Sequence, residues 1–178
     1  MAQLILITGG TRSGKSAFAQ QMAEDIPGDR LFIATCPHTD PEMDERIRRH
    51  IQARQGRGWQ SIEAPLHPEQ VLAQCRGATT VLLDCLTLWV NNVMYEYEKS
   101  GKTINDDVAS SLAEQLAGAA RACPGTVIMV TGEVGLGIVP DTPLARKYRD
   151  LVGRCNQVVA RFADKVFLVS CGIPVQIK

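Results

Sequence analysis

The 178-residue sequence predicts an α/β fold, with a mostly parallel β-sheet flanked by helices on both faces. Two observations support this prediction. Short continuous apolar runs such as residues 4–7 and 81–83 recur along the chain, and segments with helical patterning separate them. Strands that are buried on both faces have such runs, and parallel strands need crossover connections. Because no repeat or low-complexity linker interrupts the pattern, we expect a single domain spanning residues 1–178.

Each predicted strand is a short run rich in apolar or β-branched residues. The strands are predicted at residues 4–7, 31–34, 59–63, 79–83, 126–130, 165–170 and 175–177. The helices are predicted at residues 16–25, 41–54, 68–75, 86–97, 106–122 and 143–162. Pro41 and Glu42 suit a first helical turn, and Gly56 follows that helix. Ligands bind at the carboxyl ends of parallel strands, so we expect the chemically active residues directly after the strands.

The composition indicates a globular protein without a strong electrostatic preference for a partner. Lys plus Arg and Asp plus Glu both number 19, which does not favour nucleic-acid binding. The six cysteines form no Cys-x-x-Cys pair, so reduced thiols in a cytoplasmic protein are expected. The N-terminal residues lack a signal-peptide pattern, and the apolar run 81–90 is too short for a membrane span.

A phosphate-binding loop follows the first predicted strand. The segment matches G-x-x-x-x-G-K-[ST] and contains Gly9, Gly10, Thr11, Arg12, Ser13, Gly14, Lys15 and Ser16. Glycines let successive backbone N–H groups point at phosphate oxygens, and the following helix directs its positive dipole end at the same anion. Lys15 would contact the outer phosphates. The strand–loop–helix context therefore predicts a P-loop NTPase-like fold that binds a nucleoside triphosphate and transfers phosphate from it.

Two oxygen-bearing side chains are candidate magnesium ligands. The Ser16 hydroxyl closes the loop motif, and Asp84 ends an apolar strand. Phosphate-loop enzymes place a metal-binding carboxylate at such a strand end. Asp84 could instead be only a polar residue that ends its strand.

A histidine lies in a row of arginines on the helix predicted at 41–54. His50 is flanked one turn away on each side by Arg46 and Arg54. Neighbouring cations disfavour the imidazolium, and a neutral imidazole can attack phosphorus. The same arginines could hold the triphosphate. A solvated basic face with an incidental histidine would give the same pattern.

The sequence resembles the bifunctional adenosylcobinamide kinase and adenosylcobinamide-phosphate guanylyltransferase family of cobalamin biosynthesis. The similarity runs nearly end to end, through residues 7–16, 32–35, 42–50, 133–140, 144–146 and 153–157. The stretch from Met43 to His50 and the segment Glu133 to Pro140 are the most specific parts.

The resemblance implies two reactions, a nucleotide site and an oligomer. A nucleoside triphosphate, ATP or GTP, would phosphorylate adenosylcobinamide, and GTP would then donate GMP through a guanylylated histidine that falls on His50. The implied nucleotide contacts beyond the loop are Ala34, Thr35, Cys36, Ile51, Gln52, Ala53, Arg54, Glu63 and Asp84. The corrinoid is the partner substrate, Mg²⁺ the cofactor, and a homotrimer the implied assembly.

Several alternatives stay open on the sequence. A simple small-molecule kinase would need the loop and Asp84 but not His50. A guanine-specific switch is disfavoured because an Asn-Lys-x-Asp stretch is missing. Glu133 follows a strand, so it lies either beside the ligand or in a plain turn. Asp141, Arg146 and Asn156 are candidate contacts for the corrinoid or a neighbouring subunit.

Overall fold

The computed structural model describes residues 3–37, 45, 48, 51, 52, 54–75, 77 and 80–178. The strands within these residues are β1 Gln3–Gly9, β2 Arg30–Ala34, β3 Trp59–Glu63, β4 Thr80–Asp84, β5 Thr126–Val130, β6 Lys165–Ser170 and β7 Ile173–Gln176. The helices are α1 Lys15–Glu24, α2 Pro68–Gln74, α3 Leu86–Lys99, α4 Asp106–Ala122 and α5 Pro143–Phe162.

The predicted α/β class is confirmed. The strands form one seven-stranded sheet in the order β3-β2-β4-β5-β1-β6-β7. Neighbouring strands are parallel except β6 and β7, which pair antiparallel. The carboxyl ends of β1 to β5 therefore lie at one edge of the sheet, where ligands bind in folds of this kind.

Period-two alternation divides the apolar strands between two cores. In β1, Leu4 and Leu6 pack in a core with α2 to α5, whereas Ile5 and Ile7 pack in a second core with α1. The same alternation occurs in β4 and β5. Successive side chains of a strand point to opposite faces, so a continuous apolar run fills both cores. Helices on both faces follow from this pattern.

Many element boundaries shift by one or two residues from the predictions, and three differences bear on the site. β1 extends through Gly9 because its last residues pair with β6 up to Val169. β7 begins at Ile173, two residues earlier than predicted, because a turn at Cys171 and Gly172 with positive φ angles forms a tight hairpin. A 3₁₀ turn at Val134–Leu136 was not predicted.

The prediction of a helix at 41–54 is testable only in part. Glu45, Arg48, Ile51, Gln52 and Arg54 have helical conformation, and the other members of that segment lie outside the described residues. Among the helices that the structure describes, none combines the length and the apolar character needed to cross a bilayer.

Candidate functional site: a phosphate loop at the sheet edge

The loop between β1 and α1 has the backbone form of an anion site. Gly14 adopts φ 93° and Arg12 adopts φ 57°, so the chain turns sharply before the helix. Gly14 is the N-cap of α1 without a side-chain cap, and the first turn of α1 contains no acidic residue. The first N–H groups of a helix have no partner within it, so those of α1 are available to an anion.

Lys15 is held against its own loop. Its Nζ donates a hydrogen bond to the Gly10 carbonyl at 3.0 Å. The Ser13 N–H donates to the same carbonyl at 3.2 Å, and the Ser13 carbonyl accepts from Gly172 N at 2.8 Å. The loop is therefore tied both to itself and to the β6–β7 hairpin. When a nucleotide binds, the Lys15 ammonium would exchange its hydrogen bond to the neutral Gly10 carbonyl for contacts with phosphate oxygens.

The strand register aligns three of the predicted site residues. Ala34 of β2 is paired with Glu63 of β3 on one side and with Asp84 of β4 on the other. Asp84 is in turn opposite Val130 of β5, which pairs with Ile7 of β1. These residues form one row across the sheet. The row ends two residues before the phosphate loop begins.

Charged groups from the loop and from β4 converge on Cys85. Burial and, next, the Asp84 carboxylate raise the pKa of the Cys85 thiol to about 12, and the charge of Lys15 acts in the opposite direction. The thiol is therefore protonated at neutral pH. The opposite effects of Asp84 and Lys15 on one thiol indicate that both charges lie near Cys85.

Thr35 is engaged within the protein rather than exposed to a ligand. It is fully buried, and its hydroxyl donates to the Cys85 carbonyl at 2.7 Å and accepts from the Cys85 N–H at 2.8 Å. Its N–H donates to the Asp84 carbonyl, and its own carbonyl accepts from Asn92 Nδ2. Thr35 thus positions the end of β4. A direct nucleotide contact by Thr35 has no support from this geometry.

Replacing Thr35 by valine should destabilise the protein more than the same change at Thr80. Both threonines are fully buried. Thr35→Val leaves the Cys85 N–H without its partner, which should cost about 1–3 kcal/mol of unfolding free energy. The Cys85 carbonyl loses one of two hydrogen bonds and still accepts from the Trp89 N–H at 3.1 Å. Among the described residues the Thr80 hydroxyl has no hydrogen-bond partner. Thr80→Val should therefore change stability by less than about 0.5 kcal/mol or raise it. Urea unfolding measures both, and equal losses would contradict this account.

Arg54 is buried beside an aromatic pair. Its side chain is 6% exposed, and its guanidinium carbon lies 3.5 Å from the centre of the Phe32 ring. Phe32 in turn contacts Trp59 edge to face. Burial lowers the pKa of the Arg54 guanidinium, and the nearby Asp84 carboxylate opposes that effect. Arg54 therefore lies close to the Asp84 end of the site, although its predicted nucleotide contact stays a prediction.

The remaining predicted residues fall into two groups. Cys36 follows Ala34 and Thr35 at the end of β2 and is half-buried, whereas Ile51, Gln52 and Glu63 are exposed. The predicted nucleophile His50 and the predicted contact Ala53 lie outside the described residues, as do His38 and Arg46. Their roles stay predictions.

A hydrogen-bond network at the end of β5 was only partly anticipated. The Glu133 carboxylate accepts a hydrogen bond from the Thr8 hydroxyl at 2.5 Å. Asn156, which is 9% exposed, donates to the Gly132 carbonyl at 3.1 Å and accepts from the Thr131 hydroxyl at 2.7 Å. Asn156 therefore organises the strand end from within. A sequence signal existed, because Asn156 interrupts the apolar face of α5 between Cys155 and Val158.

The segment after this network exposes apolar side chains. Leu136, Ile138 and Val139 are 76%, 95% and 64% exposed. Arg146 donates hydrogen bonds to the carbonyls of Pro140 and Asp141, which ties this segment to the start of α5. A separate cleft of about 600 Å³ lies between the starts of α4 and α5, and phosphate-loop residues do not line it. The apolar segment comes directly after the Glu133 network in the chain, whereas the cleft is lined by residues away from the phosphate loop.

Comparisons with known proteins match nearly the whole chain, including the phosphate loop. The family described as cobinamide kinase / cobinamide phosphate guanyltransferase matches residues 5–177. The bifunctional adenosylcobalamin biosynthesis protein CobU of Escherichia coli (strain K12) is 38% identical over 187 residues, covering 98% of this chain and 99% of that protein. The corresponding CobU protein of Salmonella typhimurium has the same identity and coverage.

A third relative extends the similarity to another bacterium. The bifunctional adenosylcobalamin biosynthesis protein CobP of Pseudomonas aeruginosa is 34% identical over 174 residues, covering 97% of this chain and 96% of that protein. The match covers the loop, the row of residues at the strand ends and the β6–β7 hairpin together. The chain therefore belongs to the cobinamide kinase / cobinamide phosphate guanyltransferase family.

Proposed function

We propose that this chain phosphorylates the free hydroxyl of adenosylcobinamide with a nucleoside triphosphate and then transfers GMP from GTP to the phosphorylated product. Adenosylcobinamide-GDP and pyrophosphate are the products of the second step. Family membership supports both activities, since the family description names a kinase and a guanyltransferase. Relatives that align over nearly their whole length are named bifunctional.

The observation that carries the proposal is the alignment of the phosphate loop with the row of strand-end residues. Lys15 and the uncapped start of α1 supply positive charge, and Asp84 lies opposite them beside Cys85. In this arrangement Lys15 and the start of α1 would bind a polyphosphate directly, and Asp84 would act on it through a bound cation. The exposed apolar side chains at 136, 138 and 139 follow Glu133, whose N–H donates to the Gly9 carbonyl of the loop, and they suit an acceptor as large and partly apolar as a corrinoid.

The donor set at this edge fits Mg²⁺. Magnesium prefers oxygen ligands and is commonly bound through one or two protein groups plus substrate phosphates. The Ser16 hydroxyl and the Asp84 carboxylate are such groups. Among the described residues, clusters of three or more metal-binding side chains are not found, so the phosphates would complete the coordination. When bound, the ion would neutralise charge on the outer phosphates.

The finer parts of the proposal concern His50 and the assembly. His50 would take GMP from GTP as a covalent phosphoramidate and pass it to the corrinoid phosphate, with residues 51–54 beside the nucleotide. We also propose that residues 1–178 act as one domain, that three copies assemble, and that the enzyme works in the cytoplasm. ATP and GTP are both candidate donors for the kinase step.

Labelling with GTP that carries ³²P at the α-phosphate tests the covalent step. After denaturation, the protein should keep a label that is lost in acid and stable in alkali, as expected for a phosphoramidate. His50→Asn should abolish the label because an amide cannot act as the nucleophile. Kinase activity toward adenosylcobinamide should stay measurable in that variant, since attack on the γ-phosphorus does not need the histidine.

The matched control is His67, which lies at the start of α2 with its ring beside Glu69. His67→Asn should retain the label. If His50→Asn also retained it, the nucleophile would be a different residue. If the wild-type protein phosphorylated the corrinoid but never became labelled, a simple kinase without a covalent intermediate would replace the present proposal.

A further inference from the structure

The sheet order places the end of β5 at the centre of the site. β5 lies between β4, which ends at Asp84, and β1, which leads into the phosphate loop. The chain that leaves β5 stays close to the loop, because the Glu133 N–H donates to the Gly9 carbonyl at 3.1 Å. Glu133 therefore follows a strand that lies between the two groups that would hold the nucleotide.

The structure holds one oxygen of the Glu133 carboxylate in place. The Thr8 hydroxyl donates to Oε1 at 2.5 Å, and Asn156 Nδ2 makes a longer, weaker contact with the same oxygen at 3.4 Å. Thr8 and Asn156 are 5% and 9% exposed, so the anchors are rigid parts of the interior. A carboxylate offers about four acceptor positions. Within the described residues, Oε2 has no recorded hydrogen bond and can accept one from a substrate.

Among the described residues at this edge, few other groups could take a proton from an acceptor hydroxyl. Lys15 is a cation that would face phosphate, and Asp84 is a candidate metal ligand. The Thr35 hydroxyl is engaged by Cys85, and the Cys85 thiol is itself protonated. Kinases commonly orient the attacking hydroxyl with a carboxylate that accepts its proton. Glu133 is half-buried, fixed through Oε1 and adjacent to the loop.

We propose that Glu133 accepts the proton of the acceptor hydroxyl in the kinase step, and that Thr8 and Asn156 are the residues that position it. The proposal rests on the phosphoryl-transfer part of the proposed function. The hydroxyl oxygen forms a bond to the γ-phosphorus while the bond from that phosphorus to the β–γ bridging oxygen breaks. The proton moves to Glu133 Oε2, and the nucleoside diphosphate leaves with the bridging electron pair.

The decisive variant is Glu133→Gln, which keeps the size and the hydrogen bond from Thr8 but removes the base. The turnover number for phosphorylation of adenosylcobinamide should fall by about 10²-fold or more. The dissociation constant for the Mg²⁺–ATP complex should stay within about threefold of wild type. Glu98→Gln, a change at an exposed carboxylate near the end of α3, is the control and should behave like wild type.

Two variants at Thr8 separate positioning from a structural role. Thr8→Val removes the hydroxyl that holds Oε1, so the turnover number should fall at least tenfold with little change in KM for ATP. Thr8→Ser keeps a hydroxyl and should restore most of the turnover. A merely structural contribution would lower the thermal stability of both variants without this difference in turnover.

The outcomes separate this proposal from the proposed function. If wild type does not phosphorylate adenosylcobinamide, the proposed function fails, and the variants are compared with water as acceptor through phosphate release from ATP. A Glu133→Gln turnover number within threefold of wild type, with either acceptor, overturns the role of Glu133. If Glu133→Gln lost affinity for Mg²⁺–ATP by as large a factor as it lost turnover, the role of Glu133 would also be overturned. If Glu133→Gln does not fold, Glu133→Asp is measured, and failure of both to fold would make Glu133 structural.

Discussion

Substitution of Gly9 by alanine should lower both the affinity of the phosphate loop for nucleotide and the stability of the protein. A Cβ atom at this position would lie 2.4 Å from the Val169 carbonyl oxygen and 2.7 Å from the Ser13 Oγ. The first contact is with backbone of the neighbouring strand β6, so a rotamer change cannot relieve it. We expect a loss of about 1–3 kcal/mol of unfolding free energy. Because the loop must also shift, the affinity for Mg²⁺–ATP should fall at least tenfold.

The adjacent glycine provides the control for this prediction. A Cβ atom at Gly10 would have nothing within 4 Å, and its φ is not among the positive ones. Gly10→Ala should therefore change the unfolding free energy by no more than about 0.5 kcal/mol. Urea unfolding of the two variants, with isothermal titration for the nucleotide, measures the difference. Equal stability of the two variants would contradict the close approach of β1 and β6 at this point.

The fold was predictable because burial on both faces leaves a plain pattern in the strands. Residues 4–7 are apolar without interruption, and they divide between two cores in the structure. The order of the strands was not predictable in the same way. Whether β5 pairs with β1 and β4 depends on how helices pack across the sheet, and a local pattern contains no information about that pairing. The central position of Glu133 follows from the order.

Local chemistry decided which site residues could be predicted. The loop 9–16 combines glycines, a lysine and a hydroxyl at a fixed spacing, so its role follows from the sequence. The family resemblance implies a nucleotide contact by Thr35, whereas the structure shows its hydroxyl engaged by Cys85, so that contact stays a prediction. Asn156 is a partner of the Thr131 hydroxyl and the Gly132 carbonyl, which are distant in sequence. Hydrogen-bond satisfaction in the interior depends on such distant partners and has no short-range signal.

Removal of the Lys15 ammonium should strongly lower the turnover number for phosphoryl transfer while leaving the unfolding free energy almost unchanged. Within the described residues, the Nζ atom donates to the Gly10 carbonyl alone, and that contact is exposed, so Lys15→Ala should change the unfolding free energy by less than about 0.5 kcal/mol. The loss for phosphoryl transfer should be far larger. A fixed cation beside the outer phosphates stabilises charge that develops in the transition state, and removal of one such group costs about 10²–10³-fold in turnover.

An arginine at the same position should not rescue the activity. A guanidinium is broader than an ammonium and prefers paired contacts with oxygens, whereas the Lys15 ammonium makes one hydrogen bond to the Gly10 carbonyl at 3.0 Å. Steady-state kinetics of Lys15→Ala and Lys15→Arg, beside Lys99→Ala at the exposed end of α3, measures this effect. Turnover in Lys15→Ala close to that of Lys99→Ala would mean that the phosphates are gripped elsewhere. Lys15 and Arg12 are the two cations of loop 9–16, and Lys15, as the first residue of α1, can offset the charge of the departing nucleoside diphosphate.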